Sequence, residues 1–205
     1  MQPAILVLIS GNGTNLQALI DAAAAGRFGH WRIAGVLSDR PEVYGLERAR
    51  LANIPAFTET PNLALPRKDR RADLASRILR LAESLEVGLL VMAGFLSILE
   101  GPILEAYTGR IINLHPSLLP RFGGMGMHGE RVHQAVLDSG ATESGCTVHL
   151  ADAGVDTGPI LVQRKVPVLP GDTAETLAER IRPQEHIAIV DGVALMADRL
   201  GNAAI

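Results

Sequence analysis

The opening of the chain does most to limit its fold. Ala4 to Ile9 (Ala-Ile-Leu-Val-Leu-Ile) is an unbroken aliphatic run. A strand with one wet face alternates apolar and polar residues, whereas a strand covered on both faces reads as continuously apolar. The run stops at Ser10-Gly11-Asn12-Gly13, and Leu16, Leu19, Ile20 and Ala23 then recur on one helical stripe that ends at Gly26. A doubly buried strand, a glycine turn and an amphipathic helix form the first unit of a parallel sheet with helices on both faces.

The alternation continues. Arg32 to Leu37 reads as a strand, and Val43 to Ala52 as a helix carrying Leu46, Ala49 and Leu51. Ile54–Ala56 reads as a short strand, Asp69 to Ser84 as a helix, Val87 to Ala93 as a buried strand and Ile98 to Tyr107 as a helix. From Arg110 the pattern changes. A short strand to Leu114 precedes a Pro/Gly-rich loop at 116–129 and a helix at Glu130 to Leu137. Cys146 to Leu150 and Ile160 to Val168 have period two and only a turn between them, so they read as an antiparallel pair. Thr173 to Ile181, capped by Asp172 or Thr173, and Glu185 to Met196 read as two helices. The expected class is therefore α/β: a doubly wound, mostly parallel central sheet, Rossmann-like in its first half, with an antiparallel pair in its second half.

The 205 residues are 47% hydrophobic and 20% charged, which supplies a sizeable core and excludes a disordered chain. The 19 Lys and Arg against 22 Asp and Glu give a formal charge of -3, and aromatics are 3%. Both values argue against a nucleic-acid partner, which selects basic surfaces and stacking platforms. Cys146 is the single cysteine, so no internal disulfide or cysteine metal site is expected, in keeping with a reducing cytoplasm. Apolar stretches such as Val87 to Leu96 are too short to cross a bilayer, and Met1-Gln2-Pro3-Ala4 lacks the basic start of a signal peptide. With no repeat and no long linker, one domain over 1–205 is expected.

Two segments carry chemistry. The turn Ser10 to Leu16 joins a buried strand to a helix N-terminus, where backbone N–H groups and the helix dipole favour an anion. Gly11 and Gly13 permit close approach, and Thr14 and Asn15 add donors. Three readings stand: a phosphate or phosphoribosyl site, a dinucleotide site with Asp39 on the ribose, or a tight turn with no ligand. Leu16 occupies the place of the third dinucleotide glycine. In Asn113-Leu114-His115-Pro116, period-two geometry points Asn113 and His115 to one face at a strand end. An amide donor beside an imidazole suits acyl transfer, one group stabilising an oxyanion and the other moving a proton. A core histidine beside a turn asparagine is the bland alternative.

Five segments occur in order: Ser-Gly-Asn-Gly-Thr-Asn-Leu at 10–16, Ala-Gly-Phe at 93–95, Asn-Leu-His-Pro-Ser-Leu-Leu-Pro at 113–120, Gly-Cys-Thr-Val-His at 145–149 and Asp-Thr-Gly-Pro at 156–159. Together they resemble the phosphoribosylglycinamide formyltransferases, a family of folate-dependent enzymes of purine biosynthesis, over roughly residues 5–185. The resemblance implies formyl transfer from 10-formyltetrahydrofolate to the amine of glycinamide ribonucleotide, with no metal, in the cytoplasm, by a monomer or homodimer. It implies that Asn113 donates to the formyl oxygen, that His115 is the proton donor, and that Asp156 keeps that histidine charged and relays protons through water. Gly13, Thr14, Asn15 and Glu185 match acceptor-binding positions. Arg67, Met92, Leu96, Ser97, Ile98, Leu99, Asp152 and Asp156, with Asn113, match folate-binding ones. About 1–100 would form the phosphoribosyl-binding half, and about 101–205 the catalytic and folate-binding half.

Ser97 departs from the family pattern, standing where many relatives carry Arg. Loop 121–129 is longer than the common form and His128 has no assigned role, while His133 and His149 match family histidines of structural kind. Methionyl-tRNA formylation would require a further basic barrel, and formyltetrahydrofolate hydrolysis a regulatory domain before Ile5; neither is expected. A non-catalytic nucleotide module would have no use for Asn113, His115 and Asp156.

Overall fold

The computed structural model of the protein describes residues 2–202. Met1 and residues 203–205 of the expected domain lie outside the described residues. Seven strands form one sheet in the order β3-β2-β1-β4-β5-β6-β7. Strand β1 (Ala4–Ile9) lies between β2 (Arg32–Ser38) and β4 (Val87–Met92), parallel to both, with Val7 opposite Val36 on one side and Val91 on the other. Its alternate residues feed two cores. Ile5, Val7 and Ile9 face the layer of α1 (Thr14–Ala24) and α6 (Ala174–Asn202), while Leu6 and Leu8 face that of α3 (Arg70–Ser84) and α4 (Pro102–Ala106). The continuous apolar run is thus explained by burial on both faces.

Strand β5 (Ile111–His115) is parallel to β4, and β6 (Glu143–Leu150) is antiparallel to it. Strand β7 (Ile160–Pro167) is antiparallel to β6, so the expected antiparallel pair is part of a three-strand antiparallel edge. The first half and α5 (Glu130–Asp138) follow the sequence reading closely. Among the described residues no helix is long and apolar enough to cross a membrane.

Four local expectations are corrected. Strand β3 is Ala56–Thr58 rather than Ile54–Ala56; the Pro55 carbonyl accepts the Val36 N–H, and ladder pairing begins one residue later. Helix α2 spans Tyr44–Leu51, but its last residue, Leu51, is 70% exposed and contributes nothing to the core. Helix α4 starts at Pro102 rather than Ile98, since Gly101 and the proline at the first turn set its start. Residues 98–100 become an irregular stretch facing a cavity. The two C-terminal helices are one, α6, about 44 Å long, which runs through Pro183. Proline costs an interior helix about 3 kcal/mol, and packing of both halves against α1, α5, β6 and β7 offsets it. At its start the Thr173 hydroxyl accepts the Thr176 N–H (3.2 Å), which satisfies the expected cap.

Candidate active site

A cavity of about 710 Å³ opens beside the C-terminal ends of β1, β4 and β5. This is the end of an open parallel sheet at which ligands bind, next to the β1/β4 point where the strand order reverses.

Asn113 and His115 share one face of β5, as period two requires. The β5/β6 register sets Asn113 opposite His149. Asp156 arrives from the turn between β6 and β7 with a left-handed φ of 59°, a conformation that short polar side chains tolerate. That turn is closed from within: the Asp152 carboxylate accepts from the Gly154 N–H (3.0 Å) and the Thr157 hydroxyl (2.7 Å). Residues far apart in the chain thereby meet. Asp156 Oδ2 lies 3.4 Å from His115 Nδ1 and accepts the Gly124 N–H at 3.0 Å. Asp156 Oδ1 lies 3.3 Å from Asn113 Nδ2 and 3.5 Å from His149 Nε2.

Hydrogen-bond accounting fixes how these groups face one another. His149 Nδ1 sits 2.9 Å from the Leu150 carbonyl oxygen, which only accepts, so Nδ1 carries a proton. The His149 Nε2 faces the Asn113 amide nitrogen at 3.1 Å and Asp156 Oδ1 at 3.5 Å. The Asn113 amide nitrogen is therefore directed inward, at His149 and Asp156. On the other side, His115 Nε2 donates to the Phe122 carbonyl oxygen at 2.8 Å, so both its ring nitrogens face acceptors.

The electrostatics of His115 and Asp156 run in opposite directions. Burial pushes the His115 imidazole down; the Asp156 carboxylate and the Phe122 carbonyl raise it, but burial prevails and His115 lies below its ordinary value. Asp156 favours the charged imidazole, and burial opposes it more strongly. For Asp156 the balance is opposite: burial raises its carboxyl, and the His149 hydrogen bond, the His115 charge and the Gly124 N–H outweigh it, leaving it below the usual range. In an NMR titration His115 is expected to titrate below an ordinary imidazole. It should titrate lower still in Asp156→Asn, which removes the group that raises it. A midpoint above the ordinary value, or one that the substitution leaves in place, contradicts this balance.

The remaining expected residues divide. Arg67, Met92, Leu96, Ser97, Ile98, Leu99 and Asp152 all line the cavity, although Met92 and Leu99 are mostly core. Asn15 and Glu185 also line it, and the Asn15 amide donates to Glu185 at 3.3 Å. Burial raises the Glu185 carboxyl, with Asn15 and Arg182 acting weakly against it. Gly13 and Thr14 are not part of the lining. Gly13 has φ +69°, and a Cβ there would meet the Gly45 Cα at 2.7 Å, so its bare backbone admits α2. Gly11 faces open space. The cavity also takes in Arg70, Arg71, the glycine-rich loop 124–129 with His128, and His149. The glycines marked that loop in the sequence, while His149 was marked only by the resemblance, as a histidine of structural kind. Cys146 is buried and its thiol is pushed up to about 12, chiefly by burial, which makes it inert as a nucleophile.

An amide, an imidazole and a carboxylate thus meet beside the open end of the parallel sheet, a set of groups suited to acyl transfer, and residues 4–193 match the formyl transferase family model. The chain is 37% identical over 182 residues to the phosphoribosylglycinamide formyltransferase of Escherichia coli (strain K12), covering 89% of this chain and 81% of that protein. It is 44% identical over 196 residues to the trifunctional purine biosynthetic protein adenosine-3 of Drosophila pseudoobscura pseudoobscura, 94% of this chain but 14% of that protein. The chain thus spans about one-seventh of the length of such relatives. The solved structure of glycinamide ribonucleotide transformylase 1 from Symbiobacterium toebii superposes with a TM-score of 0.87 at 42% identity, over 96% of this chain and 88% of that one. The chain belongs to the formyl transferase family, in its phosphoribosylglycinamide formyltransferase branch.

Proposed function

We propose that the chain transfers a formyl group from 10-formyltetrahydrofolate to the amine of glycinamide ribonucleotide, in the cytoplasm, as a monomer or homodimer. The observation that carries this reading is the convergence of Asn113, His115 and Asp156 on one cavity that also includes Asn15, Glu185 and the wall at 96–99. The amine attacks the formyl carbon, its nitrogen forms the new bond, and the carbonyl becomes an oxyanion. Asn113 turns one amide hydrogen from His149 or Asp156 to that oxygen, and His115 releases the Phe122 carbonyl to do the same. The proton lost by the amine passes to the pair formed by His115 Nδ1 and Asp156 Oδ2, through water held at the carboxylate. As the tetrahedral centre collapses, the bond to the folate nitrogen breaks and that nitrogen takes the proton. A resting neutral His115 is suited to receiving a proton before it gives one.

We further propose one formyltransferase domain across 1–205. Residues 1–100 chiefly hold the phosphoribosyl end through the turn at Gly13, Thr14 and Asn15, and residues 101–205 carry the chemistry. Glu185 joins the acceptor site from α6, while Arg67, Met92, Leu96, Ser97, Ile98 and Leu99 join Asp152 around the folate. Incubating the protein with both substrates should give formylated glycinamide ribonucleotide and tetrahydrofolate in equal amounts, read by mass spectrometry. Release of formate at the same rate without acceptor would instead make the chain a hydrolase, and no turnover would sink the reading.

The glycine turn has its own test. A side chain at Gly11 projects into open space, so Gly11→Val should fold normally and weaken acceptor binding by about tenfold in calorimetry. Gly13→Val drives a side chain into Gly45 and should lower thermal stability instead. Unchanged acceptor affinity in a folded Gly11→Val protein would remove the turn from the site.

A further inference from the structure

We infer that Asp39 is a positioning residue for the donor side of the cavity, acting through Ser97; the inference rests on the proposed function for the identity of the ligand. Asp39 follows β2 and is 6% exposed. Among the described residues it has no cationic partner. Its Oδ2 accepts the Ser97 hydroxyl at 2.6 Å, the length of a charge-assisted bond, and its Oδ1 is buried with no partner. A buried carboxylate held by a single hydroxyl is a poor stabilising device, because desolvation costs more than one such bond returns. With one oxygen taken and the side chain covered, Asp39 is also not presented to a ribose, and the dinucleotide reading loses its acidic ligand.

What the bond does hold is a wall. Residues 93–101 connect β4 to α4 with no helix or strand of their own. They are tied to neighbouring strands and their ends by four bonds: Ala93 N–H to the Leu8 carbonyl (2.9 Å), Ser10 N–H to the Gly94 carbonyl (3.0 Å), Leu96 N–H to the Ser10 hydroxyl (2.8 Å), and Ser97 to Asp39. Leu96, Ile98 and Leu99 from this stretch line the cavity. Ser97 has a single hydroxyl hydrogen, and Asp39 takes it. Position 97 therefore braces the wall and does not donate to the folate, and its effect on the donor passes through Leu96, Ile98 and Leu99.

Steady-state kinetics of Ser97→Ala, Asp39→Ala and Asp39→Asn, with calorimetry of an unreactive folate analogue, tests this. Ser97→Ala and Asp39→Ala should each raise the donor KM and the analogue Kd about tenfold while the acceptor KM stays within about twofold. The double variant should be no worse than either single one. Asp39→Asn keeps an acceptor oxygen for Ser97 and should restore donor binding to near the wild-type value. Equal changes in both KM values, no change in Ser97→Ala, or a failure of Asp39→Asn to restore binding would each overturn the inference. If Asp39→Ala does not fold, Ser97→Ala breaks the same bond from the other end and decides alone. Analogue binding separates this outcome from failure of the formyl-transfer reading, which the wild-type product assay reports.

Discussion

His115→Ala is expected to lower kcat by about a hundred- to ten-thousand-fold, the usual contribution of a positioned general acid–base. Both substrate KM values should stay near the wild-type ones. The size follows from what the ring does. It is 4% exposed, with one nitrogen on the Phe122 carbonyl and the other on Asp156, so no water takes over its role without a rearranged site. Alanine removes an oxyanion donor and the proton's resting place together, both of them needed chiefly in the transition state. In the proposed assignment the acceptor is held by Asn15 and Glu185 and the folate by the 96–99 wall, so the loss should fall on kcat. Single-turnover kinetics beside calorimetry separate the two effects. A variant that keeps most of its turnover, or that loses it only through KM, would remove His115 from the chemistry. Circular dichroism confirms that the variant folds.

The parts of the fold legible in the sequence are those that one element decides for itself. Ala4–Ile9 announces a doubly buried strand because each of its faces meets a separate helical layer. Asn113 and His115 share a face because strand periodicity is local. The errors fall where a second element decides. Pro183 lies between the two helices expected from the sequence, but α6 continues through it, packed on α1, α5 and the β6–β7 edge. Gly13 reads as a glycine that lets a phosphate approach, and the close packing of Gly45 against it is a second reason for the missing side chain that spacing does not show. The Asn113–His149 contact depends on the β5/β6 register, and the Asp39–Ser97 bond joins two loops 58 residues apart; neither leaves a trace in spacing. The balance of effects on the His115 imidazole shows the same limit. The sequence supplies the carboxylate that raises it, but not the burial that outweighs the carboxylate.

Asp156→Asn should cost about as much as His115→Ala, about a hundred- to ten-thousand-fold in kcat. The carboxylate receives the Gly124 N–H, faces Asn113 and His149 through its other oxygen, and pairs with His115. An asparagine keeps one acceptor and turns an amide donor toward either the Gly124 N–H or the Asn113 amide, both of them donors. It also removes the charge that stabilises imidazolium, so the proton from the attacking amine has a less favourable place to go. The two side chains lie 3.4 Å apart, and if they hold one proton as proposed, the second substitution acts on a device already broken. The double variant His115→Ala/Asp156→Asn should therefore lose little more than the worse single variant, far less than the product of the two losses. A double-mutant cycle on kcat measures this, with folding and acceptor affinity checked on all four proteins. Multiplicative losses would show that His115 and Asp156 act on separate steps and would remove the shared proton from the mechanism, even with each residue individually essential.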